Sequence, residues 1–377
     1  MGRHKSASHS ARDYRVCRFQ TLFNEMGVSK MDLLKELCET PGIPGREERL
    51  RAIVRRELEP TVDEMRVDAM GNLICVKKNE GAPKLMIAAH MDEIGFVVSY
   101  IDEKKGWLRL VGLGGHDPRN MVAQRVTIST ASGDLPGVLY PGIKPPHIQG
   151  PDEAKVNPPV SEFFVDMGLP AAEVQNLVHI GDMVTMRRDF EEVGECVSAK
   201  ALDNRVAVYV MIRALQAAQR FGFEVYAVAT SQEEIGLRGA LTSAYGIDPD
   251  VGIALDTTLA VDIPGVSEHE QVTQLGKGTA IKIFDGSVIA NPKLVAYLRE
   301  LADRRSILWQ NEILPRGGTD AGAIQRVRAG VASGVISIPT RYIHSPVEMV
   351  HTGDVEASIS LLAAFMEEGH EADLALT

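Results

Sequence analysis

Lys84-Leu-Met-Ile-Ala-Ala-His90-Met-Asp-Glu-Ile-Gly95 is the stretch on which the fold turns. An apolar, strand-like run leads straight into a histidine, and two acids and a glycine follow. In open α/β sheets, sites form outside the carboxyl ends of the strands, so this reading puts His90 at a site. Working outward, three more apolar runs end at a ligand-type residue. Tyr226-Ala-Val-Ala-Thr precedes Glu234, Val251-Gly-Ile-Ala-Leu precedes Asp256, and the run from Val335 to Ile343 precedes His344. Asp203, in Lys200-Ala-Leu-Asp-Asn-Arg205, stands just before a long apolar segment. Two histidines and three carboxylates delivered to one sheet edge make a ligand set for a pair of divalent metal ions.

The totals fit a soluble globular enzyme. At 377 residues the chain is long for one compact core, so two domains are expected. A net charge of −11 disfavours nucleic acid or an anionic membrane surface as the main partner. It suits a substrate that carries a positive group. Cys17, Cys38, Cys75 and Cys196 form no close pair, which points to reduced thiols, a cytoplasmic setting and no cysteine-held zinc. Apolar runs stay far below the ~20 residues of a membrane helix. Residues 1–30 carry Arg3, Lys5, Arg12, Arg15 and Arg18 without a signal-type apolar core and read as a floppy extension.

Organised sequence begins near Met31. Leu50, Ile53, Val54 and Leu58 give helical spacing over Glu47–Leu58, and Val62–Val76 reads as a hairpin around Met70-Gly-Asn. From about Phe96 to Glu192, short Val/Ile/Thr runs alternate with glycine and proline, with one helical stretch at Ala171–Val178. After Lys200 the α/β rhythm returns, with a helix from about Asn204 to Phe221 and strands at Glu224–Thr230, Val251–Leu255, Ala280–Phe284 and Ala332–Pro339. Helices are expected near Pro292–Arg304 and Val355–Glu368. The expected fold is therefore α/β: a discontinuous catalytic domain, residues 31–96 and 193–377, interrupted by a β-rich unit at 97–192.

The individual residues each admit a plain alternative. Asp92, two residues beyond His90, can accept the second imidazole N–H and fix the tautomer; His90 alone could be a packed histidine. Asp203 could be an ordinary helix N-cap, a role compatible with metal binding through its other oxygen. In Ser231-Gln-Glu-Glu-Ile-Gly236 one carboxylate can bind metal while the other moves a proton; a solvated acidic pair is the bland reading. A glycosidase pair is a poorer fit, because such carboxylates flank a bond from separate elements. His116, His147 and His351 are left outside the site.

In order and spacing, the segments Ala88–Gly95, Lys200–Arg205, Ser231–Gly236, Ala254–Thr258 and Arg341–Glu348 resemble the co-catalytic metallo-aminopeptidases of the tetrahedral type. This is the forty-second metallopeptidase family, often labelled glutamyl or deblocking aminopeptidase and formerly mislabelled endoglucanase. The resemblance runs from about Met31 to Glu368, and Gly318-Thr-Asp-Ala and Lys144-Pro-Pro-His look like further family features. It implies a phosphorylase/hydrolase-like three-layer catalytic domain with an inserted PDZ-like barrel for dimerisation, and assembly into a twelve-subunit tetrahedron. It also implies one metal on His90 and Asp256, a second on Glu234 and His344, Asp203 bridging, Glu233 as general base and Asp92 supporting His90. Zinc or cobalt is expected, with manganese suited to the same ligands. The expected activity is removal of the N-terminal residue from short peptides. A related two-metal deacylase or carboxypeptidase would need a cation for a substrate carboxylate, for which Arg341 or Arg316 stands available. A metal-bound scaffold would have no use for Glu233.

Overall fold

The structure is a computed structural model that describes residues 31–150 and 158–376; the expected N-terminal extension, 1–30, lies outside them. An eleven-stranded mixed sheet forms the centre. Its inner strands are parallel and run Glu224–Thr230, Lys84–His90, Val251–Leu259, Ala332–Arg341. Antiparallel strands extend it at both sides. Leu73–Lys77 and Glu64–Val67 lie beyond Glu224–Thr230, and Glu348–His351, Cys196–Ala199 and Glu191–Val193 lie beyond Ala332–Arg341. Thr279–Phe284 pairs Ala332–Arg341 separately and carries Trp309–Ile313.

Strand alternation splits the core into two layers. Leu85, Ile87 and Ala89 pack with helices Asp32–Glu39, Glu48–Leu58, Leu202–Ala217, Pro292–Arg304 and Thr352–Glu368. Met86 and Ala88 face the other way, onto helices Arg238–Ile247 and Asp320–Ile324. The result is the expected three-layer α/β arrangement. Leu202–Ala217 is apolar nearly all round because it lies inside the thicker layer, under Glu48–Leu58 and against Thr352–Glu368. Each large aliphatic side chain buried there contributes roughly 1.5–3 kcal/mol.

Five residues past His90 the chain leaves this sheet. The strands Gly95–Ile101, Leu108–Leu113, Phe163–Asp166, Gly133–Pro141, Gln124–Thr130 and Met183–Met186 close into a barrel in that spatial order. Phe96, Val98, Leu108, Val126, Ile128, Leu139, Phe163 and Val184 fill it. The chain rejoins the large sheet at Glu191. The β-rich character read between Phe96 and Glu192 thus corresponds to a separate small core.

Two expectations about strand ends need correction. Asp256 does not close its strand, which continues to Leu259 because the long neighbour Ala332–Arg341 pairs with it as far as Leu259↔Thr340. Pairing with the His90 strand stops at Ala254↔Ala88, so the two strands separate where His90 and Asp256 lie level. The strand before His344 ends at Arg341, and Tyr342 and His344 both take left-handed backbone angles, φ 60° and 61°. That bend turns His344 back towards the sheet edge.

Candidate metal centre

His90 is the last residue of its strand and almost fully buried. Its Nε2 lies 3.4 Å from Asp203 Oδ1, 3.8 Å from Glu233 Oε2 and 3.9 Å from Asp256 Oδ1. The other ring nitrogen, Nδ1, is 3.0 Å from the Asp92 carbonyl oxygen and 3.5 Å from its carboxylate. The direct hydrogen bond is therefore to the Asp92 backbone, not to the side chain expected from the sequence. The Asp92 carboxylate instead accepts the backbone N–H groups of Glu233 and Glu234, at 3.1 and 3.0 Å. One short segment thereby orients His90 and fixes the turn carrying both glutamates.

Asp203 stands between the two imidazoles, with Oδ2 3.4 Å from His344 Nε2. His344 Nε2 is in turn 3.5 Å from Glu234 Oε1. Asp203 does not cap the helix with its side chain: among the described residues no helix N–H donates to it, and its buried Oδ1 has no hydrogen-bond partner. An orphaned carboxylate oxygen in the core calls for a cation. The spacing agrees. Ligands about 2.0–2.2 Å from a tetrahedral ion stand roughly 3.3–3.6 Å apart, close to the 3.4–3.5 Å separations along His90, Asp203, His344 and Glu234. Ligand atoms of His90, Asp203 and Glu234, and separately of His90, Glu233 and Asp256, also lie within 4.8 Å of one another. These residues form a group that fits divalent cations.

The electrostatics describe a site overloaded with negative charge. Burial is the largest influence on each member, and it pushes Glu233, Glu234 and Asp256 above the usual carboxylate range, aided by their acidic neighbours. Burial also disfavours charge on the two rings, but the surrounding carboxylates outweigh it. His90 is raised, and His344 reaches about 11. Asp203 is held low because, against desolvation, His344 and His90 stabilise its charge.

Several further residues shape the site, and all but Glu47 lie within segments that carry the resemblance. Buried Glu93 joins Lys200 at 2.8 Å and Arg205 at 3.4 Å, clamping both flanks of Asp203. Glu47 accepts the N–H groups of Gly45 and Gln232 at 2.7 and 3.0 Å; burial, then Asp92, pushes it to about 7. Asp320, within the Gly318-Thr-Asp-Ala segment, accepts a hydrogen bond from Thr230, and burial raises it to about 6. Glu348 accepts the N–H groups of both Asp203 and His344 at 2.8 Å. Arg341 is matched by Asp262 through two bonds of 2.9 and 2.7 Å, which removes it as a free grip for a substrate carboxylate.

The barrel forms one wall of the cleft. Ile94, His116, Asn120, Met121 and Met186 face Asp203, Glu234 and His344 across it. The chain comes close here: a Cβ on Gly114 (φ 85°) would lie 2.5 Å from Ile94 Cγ2 and 3.1 Å from Glu234 Oε2. A Cβ on Gly115 would lie 3.1 Å from His344 Nδ1. His116, stacked on Phe96 with its Nε2 2.9 Å from the Gly95 carbonyl, is a packed wall residue. His351 accepts the Gly353 N–H at the start of the last helix. Among the described residues no helix is long and apolar enough to cross a membrane.

Comparison with known proteins gives one consistent answer. A family model described as M42 glutamyl aminopeptidase matches residues 71–361. A putative aminopeptidase of Acetivibrio thermocellus is 41% identical over 332 residues, 88% of this chain and 96% of the relative. Among solved structures, an aminopeptidase of the archaeon Desulfurococcus kamchatkensis aligns with a TM-score of 0.86 at 41% identity, covering 90% and 94% of the two chains. The TET1 peptidase of Pyrococcus horikoshii, which can assemble into a tetrahedron or a large octahedral shell, aligns with a TM-score of 0.81 at 32% identity, covering 90% and 99%.

Proposed function

From the premise that this chain belongs to the M42 glutamyl aminopeptidase family and is a metal-dependent peptidase, we propose that it is a two-metal aminopeptidase that removes the N-terminal residue from short peptides. The observation that carries the reading is Asp203, its Oδ1 3.4 Å from the His90 imidazole and its Oδ2 3.4 Å from that of His344, with Asp256 3.9 Å from the first ring and Glu234 3.5 Å from the second. His90 and Asp256 would hold one ion and Glu234 and His344 the other, with Asp203 available to both. Zinc or cobalt suits this donor set best, and manganese is compatible.

When bound, the ions polarise the scissile carbonyl and acidify the attacking water. Glu233 is the residue left to move the proton. It takes one from the water as the carbonyl carbon is attacked and returns it to the leaving amine. Its burial beside Asp256 and Glu234 favours proton uptake, which a general base needs. Asp92 keeps Glu233 and Glu234 in place through their backbone N–H groups. The substrate's free α-amine would be taken up at the metal centre, which restricts cleavage to the N-terminal residue.

Residues 31–96 and 193–377 form the catalytic unit, and 97–192 the inserted unit through which subunits dimerise. The dimer is the building block of a tetrahedral dodecamer, as the shell-forming relative suggests, and the enzyme works in the cytoplasm. A panel of chromogenic aminoacyl amides, free and N-acetylated, tests the activity. Cleavage is expected only of the free series, and equal cleavage of the blocked series would overturn the aminopeptidase reading.

A further inference from the structure

We infer that Glu348 is a positioning residue for the metal centre: its one carboxylate fixes the backbone of Asp203 and of His344 together, so the Glu234/His344 half of the site depends on it. This rests on the two-metal reading above. Glu348 opens the short strand Glu348–His351, which lies between two others. On one side Ala199 pairs with Glu348, and the chain runs from Ala199 directly into Asp203. On the other, Thr340 and Arg341 pair with Val350 and Met349, and that chain runs directly into His344. The two segments are 141 residues apart in sequence, and the carboxylate between them accepts from both. Asp203 N–H donates to Oε2 and His344 N–H to Oε1, each at 2.8 Å.

The cost of this arrangement argues for its use. Glu348 is 2% exposed, and among the described residues it makes no ion pair with lysine or arginine. A buried carboxylate held only by backbone N–H groups is expensive in a core that an apolar side chain could fill. Its two donors belong to the residues on either side of the shortest imidazole–carboxylate approach at that end, His344 Nε2 to Asp203 Oδ2 at 3.4 Å. Among the described residues no hydrogen bond or ion pair joins it to His90 or Asp256. They are fixed by the register of their own strands and by the Asp92 carbonyl.

Glu348→Gln keeps the size but offers one acceptor oxygen for two N–H groups. Metal-depleted parent and variant are titrated with Co(II), followed by visible absorption, and their zinc content is measured after dialysis. The parent is expected to take two ions per chain. The variant should bind the Glu234/His344 ion roughly 10–100-fold more weakly, the usual effect of removing a residue that orients ligands, and the other ion, which shares only Asp203 with it, less so. If Glu348→Gln does not fold, Glu348→Asp, too short to span both donors, should show the same selective loss. Two ions bound at parent affinity, with only a lower melting temperature of the metal-free variant, would reduce Glu348 to a structural role and overturn the inference. A parent that binds no ion pair would instead overturn the two-metal reading.

Discussion

Replacing Glu93 by glutamine removes the anion that holds both sides of Asp203. The carboxylate accepts from Lys200 Nζ at 2.9 and 2.8 Å, from Arg205 at 3.4 Å and from the Gly42 N–H at 3.2 Å. All three side chains are buried, Arg205 completely. Glutamine preserves the volume but leaves an ammonium and a guanidinium in the core without a counter-charge, a loss of roughly 3–5 kcal/mol. The surface pair Arg56–Glu36 has equally short bonds, 2.7 and 2.8 Å, but side chains about half exposed. Glu36→Gln should therefore cost at most about 1 kcal/mol. At roughly 2–4 °C per kcal/mol, Glu93→Gln lowers the melting temperature by roughly 6–20 °C and Glu36→Gln by less than about 4 °C. Thermal unfolding of both variants beside the parent, followed by circular dichroism in chelator, compares burial at fixed chemistry. Equal shifts, or a Glu93→Gln shift under about 2 °C, would refute the reasoning.

Glu233→Gln should retain the parent metal content and lose roughly 10²–10⁴ in kcat; turnover near the parent value would remove Glu233 from proton transfer. Gly246, in helix Arg238–Ile247, has open space where a methyl group would stand, with no atom within 4 Å, so Gly246→Ala should stabilise by roughly 0.5–1 kcal/mol in denaturant titration. Arg49, on helix Glu48–Leu58, joins Asp134 on the barrel at 2.7 Å and holds its carboxyl below the usual value. The folded pKa is depressed, so this contribution is complete above the unfolded value of about 3.9 and disappears as pH falls through the folded one. The melting-temperature gap between parent and Arg49→Ala should accordingly shrink below about pH 4; a gap unchanged at about pH 2 would contradict it.

Much of this organisation is legible in the chain because it is local. Asn291-Pro292 announces its helix, and the Asn291 side chain accepts the N–H groups of Lys293 and Leu294. The apolar run before His90 identifies the strand that puts it at the sheet edge. What escapes a linear reading depends on neighbours brought together by folding. The strand of Asp256 runs on to Leu259 because Ala332–Arg341 supports it, and no residue near Asp256 says so. Glu348 lies beside Ala199 only through pairing between short strands, and Glu93 meets Lys200 only once the barrel's excursion has returned. Helix Arg238–Ile247, with Gly239 and Gly246 in ten residues, offers little periodic signal. Gly239 is nonetheless required, since a Cβ there would lie 2.4 Å from the Ser231 carbonyl oxygen.

The central claim is a pair of ions acting on a free N-terminus, and a stepwise metal titration tests it most directly. Chelated protein is titrated with zinc or cobalt while cleavage of a free aminoacyl amide and of its N-acetylated counterpart is followed. Activity on the free substrate should be absent in chelator and rise until two ions per chain are bound, with the blocked substrate untouched throughout. Cleavage that survives chelation, or that ignores the acetyl group, would contradict it.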